Sequence, residues 1–371
     1  MALALLQLSG FRNIENASVQ FSPQLNIIYG ENGSGKTSLL EAIYLLAHGR
    51  SFRTNKAQKI ITHQQTQLVL HAKVQWAQQL LSVGMLRDRL GEWQLKLNGE
   101  KVQRVADIAT LLPVQLITPE SFRLFFGGPK ERRQFFDMGL FHVEPSFFEL
   151  WVLFNKVLKQ RNALLKSKQP YSEAYKFWDL QLVDTAISLQ QLRQAYISQL
   201  SAALQPLLQD IPSLQQLELE LVPGWLLKQG DATELLNQLN ANFASDLKFG
   251  YTQLGPQKAD LRIKVGGEYV DEFLSRGQLK MLLFALKVAQ SNVIFSRGHK
   301  QPLLLIDDLA SELDDHSKRH IFSFLHHINS QVFITAIEAA QVLPLVSGAE
   351  VGLFHVEHGQ IVRTDDNGRR T

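Results

Sequence analysis

Eight consecutive residues, Gly30-Glu31-Asn32-Gly33-Ser34-Gly35-Lys36-Thr37, carry the spacing G-x-x-x-x-G-K-[ST]. Glycines at these positions let successive backbone N–H groups turn inward around a β-phosphate. The helix that follows adds positive potential at its N-terminus, Lys36 reaches the β/γ oxygens, and Thr37 supplies a hydroxyl ligand for Mg2+. The motif lies between the apolar run LNIIY and the helix-like SLLEAIYLLAHG, the strand, loop and helix setting that it requires. Such a cradle also needs a carboxylate at the end of a buried strand to hold the metal. LLLIDDLASELDD supplies it: the apolar run reads as the strand, Asp307 as the metal-orienting acid and Asp308 as the next in line to position an attacking water. Alone, an apolar run ending in two acids is also the pattern of a helix cap or a surface turn. A third element, Ser275-Arg276-Gly277-Gln278, precedes the apolar-periodic stretch MLLFALKVAQ, so a turn opens a helix and creates a second anion-binding N-terminus. A capped helix after a turn explains this element equally well; what informs is its order relative to the other two.

The elements that must position these residues show in the patterning. Alternation over residues 66–76 and 92–102 predicts strands, with Asn98-Gly99 as a hairpin turn, and shorter apolar runs at 3–8, 17–21 and 25–30 extend the strand-rich part. From about Pro145 the texture changes. Leu150, Val157 and Leu164 recur every seven residues, as do Leu182, Leu189, Tyr196 and Ala203, with a break at Gln169-Pro170. This predicts either a helical hairpin projecting as an arm or a self-contained four-helix domain. Strand texture returns near Gly250, at 261–265, 303–306, 332–337 and 351–356. The expected organisation is α/β: residues 1–119 as the first part of a nucleotide-binding head, 120–249 as a lid and helical arm, and 250–371 completing the head with a polar, loose tail from Asp365.

Hydrophobic residues make up 45% of the 371 and charged residues 20%, which excludes disordered and fibrous classes. With no Cys, disulfides, thiolate catalysis and thiolate metal sites are excluded. The N-terminal MALALLQLSG has no basic flank and too short an apolar run for a signal peptide or membrane span, so a cytoplasmic location is expected. The net charge of +3 hides an asymmetry: residues 1–135 hold 16 Lys+Arg and 9 Asp+Glu, the remainder 22 and 26. A basic first third invites a polyanion, or is simply solvated surface with a few phosphate contacts. His316 and His320 at helical spacing, followed by His326-His327, read as a solvated helix face and not as a zinc site. Tyr171, Tyr175 and Trp178 read as core or arm seam before a base-stacking platform.

P-loop, then Ser-x-Gly-Gln, then a strand ending in acids, then Ser-Glu-Leu-Asp at 311–314: this order resembles the ATP-binding cassette (ABC) ATPases. The interval between Lys36 and Ser275 is more than twice that of transporter cassettes and contains a helical insert, which resembles the chromosome-maintenance and DNA-repair branch. Within it, FRNIENASVQFSP, GENGSGKTSLLEAIYLLAHGRSFR, TPESFRLFFGGPKERRQFFDMGLF, KQRNALL, LGPQKADL, SRGQLK and IDDLASELD are similar to the RecF family, in that family's order. The resemblance implies an ABC-type head with ATP on Gly30 through Ser38, with Ser275, Gly277 and Gln278 meeting the γ-phosphate bound by a second subunit. It implies metal and water roles for Asp307 and Asp308, and a metal-sensing role for Gln115. Most ABC enzymes carry Glu at the position of Asp308 and His at that of Thr335; the shorter groups here imply slow turnover. The resemblance further implies an ATP-dependent dimer that clamps duplex or gapped DNA, RecO and RecR mediators, recombinase loading and the SOS response. Candidate DNA contacts are Arg50, Arg53, Lys56 and Lys59, then Arg123, Lys130, Arg132 and Arg133, although Arg132 and Arg133 near Asp137 also suit internal ion pairs. The competing classes are a membrane-transporter ATPase and a P-loop metabolic kinase, in which the Ser-Arg-Gly-Gln-Leu-Lys run would have no task.

Overall fold

The computed structural model describes residues 1–226, 232–308, 315–326, 328–346, 350–365 and 369. The chain packs as two compact units, one of Met1–Ser121 with Lys280–Thr371 and the other of Phe122–Leu279. Strands β1 (Ala2–Phe11), β2 (Ile14–Gln20) and β3 (Leu25–Tyr29) lead into helix α1 (Lys36–His48). Then come β4 (Gln67–Trp76), β5 (Gln79–Asp88), β6 (Trp93–Leu97), β7 (Glu100–Val102), α2 (Val105–Leu111) and β8 (Val114–Ile117). The second unit holds α3 (Arg123–Phe126), α4 (Pro129–Val143), α5 (Phe147–Lys166), α6 (Glu173–Leu208), β9 (Leu217–Val222), α7 (Ala232–Ala241), α8 (Phe243–Phe249), β10 (Asp260–Val265), β11 (Glu268–Tyr269) and α9 (Val270–Phe273). After α10 (Arg276–Gly298) the first unit resumes with β12 (Leu303–Ile306), α11 (Asp315–His326), β13 (Gln331–Ala336), β14 (Val351–Glu357) and β15 (Gln360–Thr364).

The first unit is a sandwich of two six-stranded sheets around α1. One sheet is antiparallel, in the order β2-β1-β4-β5-β6-β7. On β4 the alternation places Leu68, Leu70, Ala72 and Val74 in the core while Gln67, Val69 and Lys73 face out. The other sheet runs β15-β14-β3-β13-β12-β8, parallel throughout except for the edge strand β15. Its strands β12 and β13 are buried along their whole length, which is why LLLI and VFITA read as unbroken apolar runs. Helix α1 buries Leu39, Leu40, Ile43 and Leu46 in a core shared with Leu6 and Leu70 of one sheet and Leu305 and Phe333 of the other. The buried Gln331 side chain stitches the sheets, accepting from Leu3 N–H at 2.7 Å and donating to the carbonyls of Leu3 at 3.0 Å and Ser22 at 2.7 Å. Because β3, β13 and β12 are parallel and in register, they deliver residues 30, 307 and 337 to one edge of the sheet.

The expected arm is a compact α/β unit instead. Helices α5 and α6 do pack together, with Val157, Leu182, Leu189 and Tyr196 buried as their spacing predicts. Yet α6 also packs against α4, α7 and β9, and a three-stranded antiparallel sheet, β11-β10-β9, completes the unit. Two buried arginines lock it. Arg161, fully buried, binds Asp179 at 2.6 Å, Asp246 at 2.7 Å and the Thr252 hydroxyl at 2.7 Å, while Arg193 grips Asp137 through both oxygens, at 2.9 and 2.7 Å. Residues 250–279, expected with the head, pack in this unit because β10 pairs with β9 along its whole length. Tyr175 is fully buried, with Tyr171 stacked on it at 5.7 Å. Ser-Glu-Leu-Asp at 311–314, His327 and the tail residues 366–368 and 370–371 lie outside the described residues, as do the side chains of His316 and His326. Helix α10 is, among the described residues, the one helix long and apolar enough to cross a membrane, and most of it is buried within the protein.

Candidate nucleotide site

Leaving β3 at Tyr29, the chain turns at Gly30, φ 150°, where a Cβ would stand 2.2 Å from the carbonyl oxygen of Val356. Only glycine passes there. Glu31, Asn32 and Gly33 form an exposed rim, and Gly35, φ 123°, turns the backbone so that Lys36 and Thr37 open α1. The Lys36 ammonium donates to the carbonyls of Gly30 at 2.7 Å and Glu31 at 2.9 Å, folding over the loop at the edge where β3 ends. Burial holds its pKa below the ordinary lysine value, opposed by the nearby charges of Asp308 and Asp307.

Opposite Lys36, three hydroxyl and carboxylate groups converge. Thr37 Oγ1 donates to Asp307 Oδ1 at 3.0 Å, and Thr335 Oγ1 donates to the same oxygen at 2.8 Å. The Thr335 hydroxyl also accepts from the N–H of Asp308 at 2.8 Å, so one buried side chain on β13 ties both acids of the β12 end together. Burial raises the pKa of Asp307, the hydrogen bonds from Thr335 and Thr37 pull it back, and the charge of Asp308 raises it further while that of Arg53 lowers it. Asp308 itself sits at φ 55°, in the left-handed region that a non-glycine residue occupies at a cost.

A brace that the motifs do not announce holds the loop from the other sheet. Asn13, in the β1–β2 turn, donates through Nδ2 to Ser34 O at 3.0 Å and accepts through Oδ1 from Ser38 Oγ at 2.9 Å. Beside it Arg12, φ 54°, forks onto Glu41 at 2.9 and 2.6 Å and donates to Lys59 O at 2.6 Å. Glu41 is a fully buried acid on α1; it also accepts from Ser51 Oγ and stands 3.7 Å from Arg53. A lone acid within the apolar run SLLEAIYLLA is the signal that points to such a partner.

The structure thus brings Gly30 through Ser38, Asp307, Asp308 and Thr335 to one edge. It corrects two readings there. Thr335 does not stand free to report on a γ-phosphate, since its hydroxyl is engaged by Asp307 and Asp308. Gln115 lies inside β8 opposite Leu304, three residues short of the Asp307 level, or about 10 Å at the rise of a strand. Its amide is buried, and neither polar atom has a hydrogen-bond partner among the described residues, so it lies away from the metal position. In the second unit, Ser275 and Gln278 form a reciprocal cap on α10: Ser275 N–H donates to Gln278 Oε1 at 2.8 Å and Gln278 N–H donates to Ser275 Oγ at 3.3 Å. That bond uses the serine oxygen as acceptor and leaves its proton to donate. Of the candidate DNA contacts, Arg50, Arg53, Lys56 and Lys59 are exposed. Arg132 and Arg133 are consumed internally, the first by Asp260 at 2.7 and 2.9 Å and the second by the carbonyl of Ala259 at 2.5 Å.

A P-loop on the central strand of a mixed sheet, an acid pair on a neighbouring parallel strand and a helical insert define an ABC-type ATPase head of the chromosome-maintenance kind. The RecF/RecN/SMC N-terminal domain family matches residues 2–361. The DNA replication and repair protein RecF of Pseudoalteromonas translucida is 46% identical, over 98% of this chain and 100% of its own. That of Shewanella loihica is 42% identical, over 97% and 99%. A solved structure of the recombination mediator protein RecF with ATP, in the RecFOR pathway, is 26% identical with a TM-score of 0.85 over 98% of both chains. An SMC head bound to the C-terminal winged-helix domain of ScpA shares the fold at a TM-score of 0.59 and 13% identity, covering 99% of this chain and 98% of its own. The chain belongs to the RecF family of ABC/SMC-like ATPases.

Proposed function

We propose that this protein is an ATP-gated DNA clamp of recombinational repair: ATP closes two copies into a dimer on duplex or gapped DNA, and hydrolysis reopens it. The observation that carries the reading is the convergence of Lys36, Thr37, Asp307 and Asp308 on one sheet edge, in a chain whose relatives are DNA replication and repair proteins along its whole length. Those relatives weigh against the membrane-transporter alternative.

Lys36 exchanges its two carbonyl acceptors for phosphate oxygens when ATP enters, and the N–H groups of Gly33 through Thr37 surround the β-phosphate. The Thr37 hydroxyl and the Asp307 carboxylate, 3.0 Å apart, are hard oxygen donors that fit Mg2+. When bound, Mg2+ bridges phosphate oxygens and neutralises charge developing on them. Asp308 orients the attacking water, and its short side chain supports slow turnover. Ser275, Gly277 and Gln278 of a second copy face the γ-phosphate, through the serine proton and the first N–H groups of α10. Closure then presents a surface to RecR- and RecO-type mediators for recombinase loading.

ATP turnover with and without gapped duplex DNA tests the reading, with Lys36→Ala as the blank. DNA is expected to stimulate the wild type severalfold and leave Lys36→Ala without ATP binding. Turnover indifferent to DNA, or ATP bound by Lys36→Ala with wild-type affinity, contradicts it.

A further inference from the structure

Away from the nucleotide site, α8 ends at Phe249, and the chain turns through Gly250, φ 76°, into Tyr251. Both rings are exposed, by 57% and 41%, with centroids 6.1 Å apart and planes tilted by 48°. Lysines surround them. Lys248 Nζ lies 5.8 Å from the centroid of Phe249, and Lys258 Nζ 5.0 Å from that of Tyr251. Lys168 Nζ donates to the carbonyls of Leu247 and, at 2.9 Å, Lys248, and the Lys166 side chain comes within 3.6 Å of where a Cβ on Gly250 would sit. Asp246, the acid of the same helix, is buried on Arg161 and so leaves these four cations unneutralised by its own charge.

We propose that this patch binds single-stranded nucleic acid, with bases stacking on Phe249 and Tyr251 and phosphates held by the four lysines. Exposed aromatic rings edged by flexible cations are the two components of a sequence-tolerant single-strand site: every base offers a π-face and every linkage a negative charge. Duplex DNA satisfies the lysines but keeps its bases stacked internally, leaving the rings without a partner. An acidic peptide likewise uses the charges and not the planes. The proposal stands on the geometry of the second unit alone and needs no ATP-driven closure, although a DNA gap would supply the strand.

The test is fluorescence anisotropy on the full-length protein without nucleotide, using a labelled oligothymidylate and a blunt duplex of equal length. Replacing both rings, Phe249→Ala with Tyr251→Ala, is expected to weaken oligothymidylate binding about tenfold or more, with duplex affinity and the salt slope unchanged. Lys248→Gln with Lys258→Gln is expected to flatten the slope of log K against log salt by about 0.7 for each lysine–phosphate pair removed. Phe249→Trp with Tyr251→Trp is expected to retain binding. All these side chains are exposed, and circular dichroism checks the fold. The proposal is overturned by wild-type protein that does not bind oligothymidylate, by unchanged binding in the double alanine variant, by equal loss for duplex, or by polyglutamate competing as well as oligothymidylate. Because nucleotide is absent, none of these outcomes depends on the clamp.

Discussion

Thr335 illustrates how one hydroxyl can organise an active edge. It donates to Asp307 and accepts from the Asp308 backbone, so it holds Asp308 in a left-handed conformation from which the carboxylate addresses the site. Thr335→Val keeps the shape and removes both bonds; about a tenfold or greater fall in kcat is expected with the KM for ATP little changed, and Thr335→Ser is expected to recover most of it. Steady-state ATPase kinetics on the pair decide the point, since a merely structural hydroxyl would leave kcat alone. Asp307 carries an electrostatic cost. Burial raises its folded pKa above the unfolded value, so it destabilises the fold once pH exceeds the unfolded pKa, and that penalty vanishes at lower pH where both states are protonated. Asp307→Asn is therefore expected to raise Tm near neutral pH by roughly 2 °C or more, with the gain shrinking as pH falls below the carboxylate range, while ATP turnover is lost. Calorimetry at two pH values checks this; a Tm lowered at neutral pH would contradict it. The P-loop and acid pair are legible in the sequence because their spacing is itself the chemistry. Asn13 is not, since its partners are backbone and hydroxyl groups of a loop 20 residues away.

Among the elements, strands buried on both faces are easy to see and their order is not. LLLI and VFITA announce buried strands, but nothing in them says that β3 and β12 flank β13, and that register is what brings Asp307 beside Thr37 and Thr335. Gln115 shows the limit: the run PVQLI identifies β8, and only pairing with β12 reveals that its glutamine faces the interior of the sheet, short of the phosphate edge. The seven-residue spacing in α5 and α6 reads as an arm because periodicity reports which face of a helix is apolar, not what covers it. Arg161 and Arg193, recruiting acids 18 to 85 residues away, bind the hairpin into a compact unit. On the first unit, the segment after α1 presents Arg50, Arg53, Lys56 and Lys59 to solvent. Neutralising all four is expected to weaken duplex binding evenly across sequences and to flatten the salt dependence by about one log unit for each phosphate no longer neutralised. An unchanged slope in a folded variant would move the duplex site elsewhere.

For the molecule as a whole, the account turns on ATP being part of an interface between two copies. The P-loop belongs to one compact unit and the Ser275–Gln278 cap to the other, and the clamp reading pairs Lys36 of one copy with Ser275 of its partner across a shared nucleotide. Nucleotide binding and dimerisation are then linked by mass action, so each strengthens the other. Two substitutions should divide the linkage in opposite directions. Ser275→Arg adds bulk and charge at the interface while leaving the P-loop intact, whereas Asp308→Asn removes the carboxylate that orients water and leaves every binding group in place. Sedimentation velocity on the wild type and both variants, with and without ATP and Mg2+, is the most direct test. The predicted result is a wild type that is monomeric alone or with ADP and dimeric with ATP, a Ser275→Arg protein that binds ATP and stays monomeric, and an Asp308→Asn dimer that persists. An oligomeric state indifferent to ATP, or a Ser275→Arg dimer as stable as wild type, would contradict the account.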